Sequence, residues 1–226
     1  CDSMKAIYIL LSVVLTGILF GCDDFLERSA QNMIVPEKVE HYRELLQGDA
    51  YFKGLYDKTA WVQFMTDDAE FQECYSRFNN YDNTGDNLEH YSDVYTWQSE
   101  IENDNFTDGA YLYLYKQIKI ANLCLDGVKE AEREILMGQA YFTRAMGYFY
   151  LANLYAQAYN EANPNDLCVP LVVDGEINIF SYDRATISRV WGQMTSDIEN
   201  AMINLKDKVT GDFFTISYEA ALVLAT

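Results

Sequence analysis

Apolar residues recur at helical spacing through several long stretches of this chain, and a chain so patterned must stack helices to bury its stripes. The clearest stripe runs Tyr111, Leu114, Tyr115, Ile118, Ala121, Asn122 and Leu125, with Asp108 placed to cap its start and Gly127 near its end. Glu130 to Tyr159 reads as one long helix with Leu136, Ala140, Arg144, Phe149, Ala152 and Tyr155 turned inward, and Pro164 marks its exit. Thr186 caps a third helix, along which Ile187, Val190, Trp191, Met194, Ile198, Ala201 and Leu205 recur. A shorter helix is expected over Val39–Leu46, opened by Pro36 and closed by Gly48, and a last one from a Ser217 cap to Thr226.

Between these helices the pattern weakens. Residues 49–107 show little periodicity, and Asn79 to Asn87 have the composition of a loop. Asp93 to Trp97 reads as a short extended piece, and Cys168 to Val173 as an apolar connector. Paired helices of this kind point to tandem repeats. Ala145-x3-Phe149-x2-Ala152 fits the second helix of a tetratricopeptide unit, where small residues let helices approach and Phe fills the gap. The expected fold class is all-α in the main, with irregular loops. The apolar run Ala220 to Ala225 carries no stop signal, so the chain is expected to be truncated at its C-terminal side, with a further segment burying that stripe.

The N-terminus carries a different signal. Met4 is the first methionine, so Cys1-Asp2-Ser3 read as non-native residues. Lys5 supplies a positive charge, and Ala6 to Phe20 follow without any charge. That run is short for a membrane span of ~20 residues and suits the apolar part of a signal peptide. It ends in Leu19-Phe20-Gly21-Cys22, which resembles a bacterial lipobox, although Phe20 is bulky for its place. Cys22 is the expected lipid-attachment residue, with residues 1–21 removed as a signal peptide. Several acyl chains, at ~0.8 kcal/mol per buried CH₂, would anchor the chain stably. An ordinary secretory signal with a chance Cys, or a transmembrane anchor, is the competing reading. Asp23-Asp24 resembles the acidic tag that sends some lipoproteins to the cell exterior.

Sixteen Lys and Arg face 35 Asp and Glu, a net charge of −19. Such a chain repels phosphate backbones and anionic lipid, so nucleic acid is excluded as a partner. Setting aside Cys1 and Cys22 leaves Cys74, Cys124 and Cys168, which leaves room for one disulfide that no spacing specifies.

Enzyme chemistry finds little support. His41 and His90 are the only histidines, and no H-E-x-x-H, G-x-S-x-G or phosphate-loop pattern is present. No catalytic residue, metal site or cofactor is expected. Asp67, Asp68 and Glu70 could be read as glycosidase carboxylates, but adjacent residues point apart and a helix-start role explains them as well. Asp82-x-Thr84-x-Asp86 partly resembles a calcium loop, with Asn87 where Gly belongs and Asp93 where Glu belongs. Arg144, on an apolar helix, reads as a buried structural contact rather than a ligand contact.

Several motifs occur in a recognisable order. Tyr111-x2-Leu114-Tyr115-x2-Ile118-x2-Ala121-Asn122 resembles a helix of the SusD/RagB family, with Tyr111 where Trp is more usual. Gly138-Gln139-Ala140-Tyr141-Phe142-Thr143-Arg144-Ala145, then Tyr148-Phe149-x-Leu151-x3-Tyr155, resembles the family's next helix, with Gln139 in place of the common Glu. Val169-Pro170-Leu171 follows, then Arg184-Ala185-Thr186 with Asp197-Ile198-x2-Ala201. The resemblance covers nearly all of residues 22–226. It implies the N-terminal part of a SusD-like domain of tetratricopeptide-like helix pairs, whose loops carry the ligand site. It also implies a surface lipoprotein on the outer membrane, partnered with a SusC-like TonB-dependent transporter, that captures oligosaccharide or other nutrient without cleaving it.

Sugars present apolar C–H faces to aromatic rings and hydroxyls to Asn, Asp and Arg. Aromatic and amide residues mix in the 49–107 stretch, and function concentrates on loops held by a rigid scaffold. Tyr81, Tyr95 and Trp97 are therefore the expected stacking residues, with Asn79 and Asn83 as polar partners, while core packing is the competing reading for each ring. The alternative function is a helical-repeat scaffold that binds a protein partner without a small-molecule ligand.

Overall fold

The structure is a computed structural model, and it describes residues 36, 38–67, 93–98, 105–127, 133–159, 163–175, 182–210 and 215–226. All of these belong to the compact unit Pro36–Thr226. Its elements in order are α1 (Val39–Leu45), α2 (Leu55–Thr59), α3 (Asn105–Gly127), α4 (Glu134–Tyr155), β1 (Leu167–Pro170), β2 (Arg184–Thr186), α5 (Ile187–Leu205) and α6 (Tyr218–Ala225). The fold is mainly α-helical, and the one sheet among the described residues is the antiparallel pair β1–β2, which matches Leu167 with Thr186 and Pro170 with Arg184.

Three long helices form the frame. Asn122 of α3 meets Arg144 of α4, while Gly147, further along α4, faces Ile118 and Leu114, nearer the start of α3. The two helices therefore run antiparallel. The same holds for α4 and α5, where Gly138 abuts Leu205 and Arg144 meets Asp197. Small residues set the spacing. A Cβ on Gly138 would come within 2.6 Å of Leu205 Cγ, and one on Gly147 within 2.9 Å of Ile118 Cγ1. Close approach of this kind brings Leu114, Ile118, Tyr148, Leu151, Ile187 and Val190 into one core with no more than 1% exposure each.

Of the stripe read for α3, Leu114, Ile118, Ala121 and Asn122 are buried and Tyr111, Tyr115 and Leu125 half-buried, although the helix begins at Asn105, ahead of Asp108. Gln117, Ile120 and Cys124 are buried as well, because α1 and the turn after it cover a second face. α4 spans Glu134–Tyr155 rather than Glu130–Tyr159: Ala156 turns to an extended backbone at ψ 170°, and the helix stops there. Of its six expected inward residues, Leu136, Ala140, Arg144 and Ala152 are buried and Tyr155 is half-buried, whereas Phe149 is 37% exposed. Ala145 and Ala152 thus mark helix contacts as a tetratricopeptide pattern would, while Phe149 does not fill the gap between them.

Thr186 caps α5 as expected, its Oγ1 accepting the Arg189 amide at 3.4 Å. Ser217 occupies the corresponding place before α6 in extended conformation, without a side-chain cap bond. Near the start of the described chain, α1 does not end at Gly48. It widens at Leu46–Ala50 into one π-helical turn, and Tyr51 stops it. Leu46 and Ala50 are fully buried by this widening, so burial overrides the stop signal of the glycine. Helical turns continue over Phe52–Gly54, α2 and Ala60–Met65, where the sequence shows little period. No helix among the described residues is long and apolar enough to cross a membrane.

Candidate ligand-binding site

At the middle of the helix stack lies a polar knot. Arg144 is 6% exposed and donates from Nε and Nη2 to the two carboxylate oxygens of Asp197, at 2.8 and 2.6 Å. Its Nη1 donates to Asn122 Oδ1 at 2.8 Å and to the Val173 carbonyl at 3.3 Å. Gln193 Nε2 donates to Asp197 Oδ1 at 2.9 Å. Burial works against the Arg144 charge, but the hydrogen bond and charge of Asp197 outweigh it and hold the guanidinium above its ordinary range. The geometry is bidentate and four of the five N–H donors meet protein acceptors, so Arg144 is a structural contact, as its place on an apolar helix suggests.

The segment that leaves β1 is held beside the knot. Asn122 Nδ2 donates to the carbonyls of Val172 and Asp174, at 3.0 and 2.9 Å. Tyr148 Oη donates to the Val172 carbonyl at 2.8 Å and accepts the Val172 amide at 2.6 Å, and burial pushes its phenol up. The Gly175 amide donates to Asp126 Oδ2 at 2.7 Å. Residues 172–175 are thus bonded from four helical positions, Asn122, Asp126, Arg144 and Tyr148. Gln139, where relatives carry Glu by resemblance, donates from Nε2 to the Ile216 carbonyl at 3.2 Å, a bond that a carboxylate could not donate.

Of the expected stacking residues, Tyr95 and Trp97 are described. Tyr81, Asn79 and Asn83 fall outside the described residues, as do Cys22, Cys74, His90, Asp68, Glu70 and the stretch from Asp82 to Asn87. Tyr95 and Trp97 are both present on one turn over Asp93–Gln98. It is a tight turn and not an extended piece: the Trp97 amide donates to the Val94 carbonyl at 3.1 Å and the Gln98 amide to the Asp93 carbonyl at 2.9 Å. Val94, at 2% exposure, is the buried residue of the turn. Tyr95 is half-buried, and Trp97 is 67% exposed at φ 53°. A non-glycine residue in that left-handed region costs roughly 1–2 kcal/mol, and an exposed indole returns nothing to the core. The competing reading, that Trp97 packs inside, does not describe this turn.

One cavity was not foreseen from the sequence. A groove of about 540 Å³ runs between α4, α5 and the end of α6, lined by Phe149, Trp191, Met194, Ile198, Met202 and Leu224, with Thr195 and Glu199 among its polar residues. Tyr159 and Trp191 contact each other beside it, with ring centroids 5.3 Å apart. The exposed placement of Phe149 is explained by this groove. Its signal in the sequence is faint, since the lining comes from three helices and reads in each as ordinary stripe residues.

Reactive groups are few. Among the described residues no three His, Cys, Asp or Glu side chains gather in a way that could hold a metal ion. Cys124 and Cys168 are free and buried; burial pushes the Cys124 thiol up to about 12, and burial, the first of several influences, also raises Cys168. His41 lies half-buried on α1, and Asp67 is exposed after the Ala60–Met65 turn, the residues that follow it lying outside the described ones.

Comparison with known proteins places this architecture. A SusD-like family, described as starch-binding and associating with the outer membrane, matches residues 24–225. No functionally curated protein matches the chain by sequence. Among solved structures, a SusD superfamily protein from Bacteroides fragilis aligns at TM-score 0.58 and 22% identity, over 83% of this chain and 44% of its own. A SusD-like carbohydrate-binding protein from Bacteroides vulgatus aligns at 0.56 and 20%, over 84% and 40%. A SusD superfamily protein from Bacteroides thetaiotaomicron aligns at 0.57 and 15%, over 83% and 41%. The chain therefore spans about two fifths of the length of these relatives, and at such identities they show the shared fold. With a match over nearly its whole length and the same helical frame, the chain belongs to the SusD-like family.

Proposed function

We propose that this chain is the N-terminal part of a surface lipoprotein that binds oligosaccharide or another nutrient, does not cleave it, and delivers it to a SusC-like TonB-dependent transporter in the outer membrane. The observation that carries the reading is the family match over residues 24–225, under a description that joins starch binding to the outer membrane. The Leu19-Phe20-Gly21-Cys22 lipobox supports anchoring through Cys22, with residues 1–21 as signal peptide and Asp23-Asp24 as the export tag. The turn that exposes Trp97 supports a stacking role for that ring, with Tyr95 beside it and Tyr81, Asn79 and Asn83 completing the site.

The alternative, a repeat scaffold that recruits a protein partner, draws on the apolar groove of α4–α6. A glycan-array screen of the mature protein without its acyl chains, with product analysis, separates the two. Saturable binding with the glycan recovered intact supports capture. Absence of binding to every glycan moves the reading to peptide cargo or a protein partner, and released products overturn the non-enzymatic assignment. Radiolabelled palmitate incorporation, lost in Cys22→Ala, checks the anchor; undiminished incorporation would contradict it.

A further inference from the structure

We draw no further inference here: the strongest candidate, the apolar groove of about 540 Å³ between α4, α5 and the end of α6, carries nothing because the structure does not show what covers it.

Discussion

The middle of the helix stack and the Asp93–Gln98 turn use their costly side chains in opposite ways. In the stack, a charged Arg144 is taken out of water and makes four hydrogen bonds, to Asp197, Asn122 and the Val173 carbonyl. At the turn, Trp97 is the large apolar side chain, and it is left 67% exposed on backbone in the left-handed region. The stack uses polar groups to fix geometry, while the turn holds a ring in water on strained backbone. Outliers of the second kind cluster where proteins meet ligands, and that tendency is the ground for proposing the turn as part of the site.

The largest expected break is in the stack. Asp197→Ala leaves the Arg144 charge buried and unanswered, and should cost about 3–5 kcal/mol in denaturant unfolding. Iodoacetamide labelling of Cys124, mapped by mass spectrometry, should quicken in parallel, since burial protects that thiol in the wild type. Replacing both partners, Arg144→Leu with Asp197→Leu, should recover most of that loss, because no uncompensated charge remains. If the double variant is as unstable as the single one, the ion pair is not the reason for the loss.

Gly138→Ala tests the same region by packing. Its Cβ would sit 2.6 Å from Leu205 Cγ and 3.1 Å from Asn204 Cβ, atoms close to the α5 backbone that cannot swing aside. Overpacking of this kind should cost about 1–3 kcal/mol. A smaller effect is expected at the rim. Lys116 reaches Asp49 at 3.0 Å, but both side chains are more than half exposed, and Lys116→Ala should cost less than about 1 kcal/mol. The contrast with Asp197→Ala is the sharper statement: two ion pairs at similar distances, separated several-fold in worth by burial. Smallest of all is Trp97→Asn, which should leave the unfolding midpoint within about 0.5 kcal/mol of the wild type. A loss of 2 kcal/mol there would mean that the indole is packed after all.

Much of the scaffold is legible in the sequence, and physics explains where it is not. The stripes of α3 and α5 announce themselves because every residue of each is buried or half-buried, and the Thr186 cap follows from a local hydrogen bond. Gly48 misleads because the gain from burying Leu46 and Ala50 overrides a weak local stop. Phe149 misleads because a stripe position tells which way a side chain points and not whether a neighbouring helix reaches it. Arg144 reads correctly as structural, but its partner lies 53 residues away, a pairing that no local pattern encodes. The turn at Asp93 is misread because alternation over five residues cannot be told from a single tight turn with one buried residue, Val94. As for the site, Tyr95 and Trp97 share one turn, half-buried and exposed respectively, Tyr81, Asn79 and Asn83 lie outside the described residues, and the ligand role of all five remains a proposal.

The most direct test of scaffold and site as separate regions is isothermal titration of the glycan that binds best on the array, into the mature wild-type protein and its Trp97→Ala variant. We expect affinity at least about tenfold weaker in the variant, a loss of ~1.4 kcal/mol, with an unchanged unfolding midpoint. Equal affinity in the two proteins would contradict it and take the ligand away from this turn.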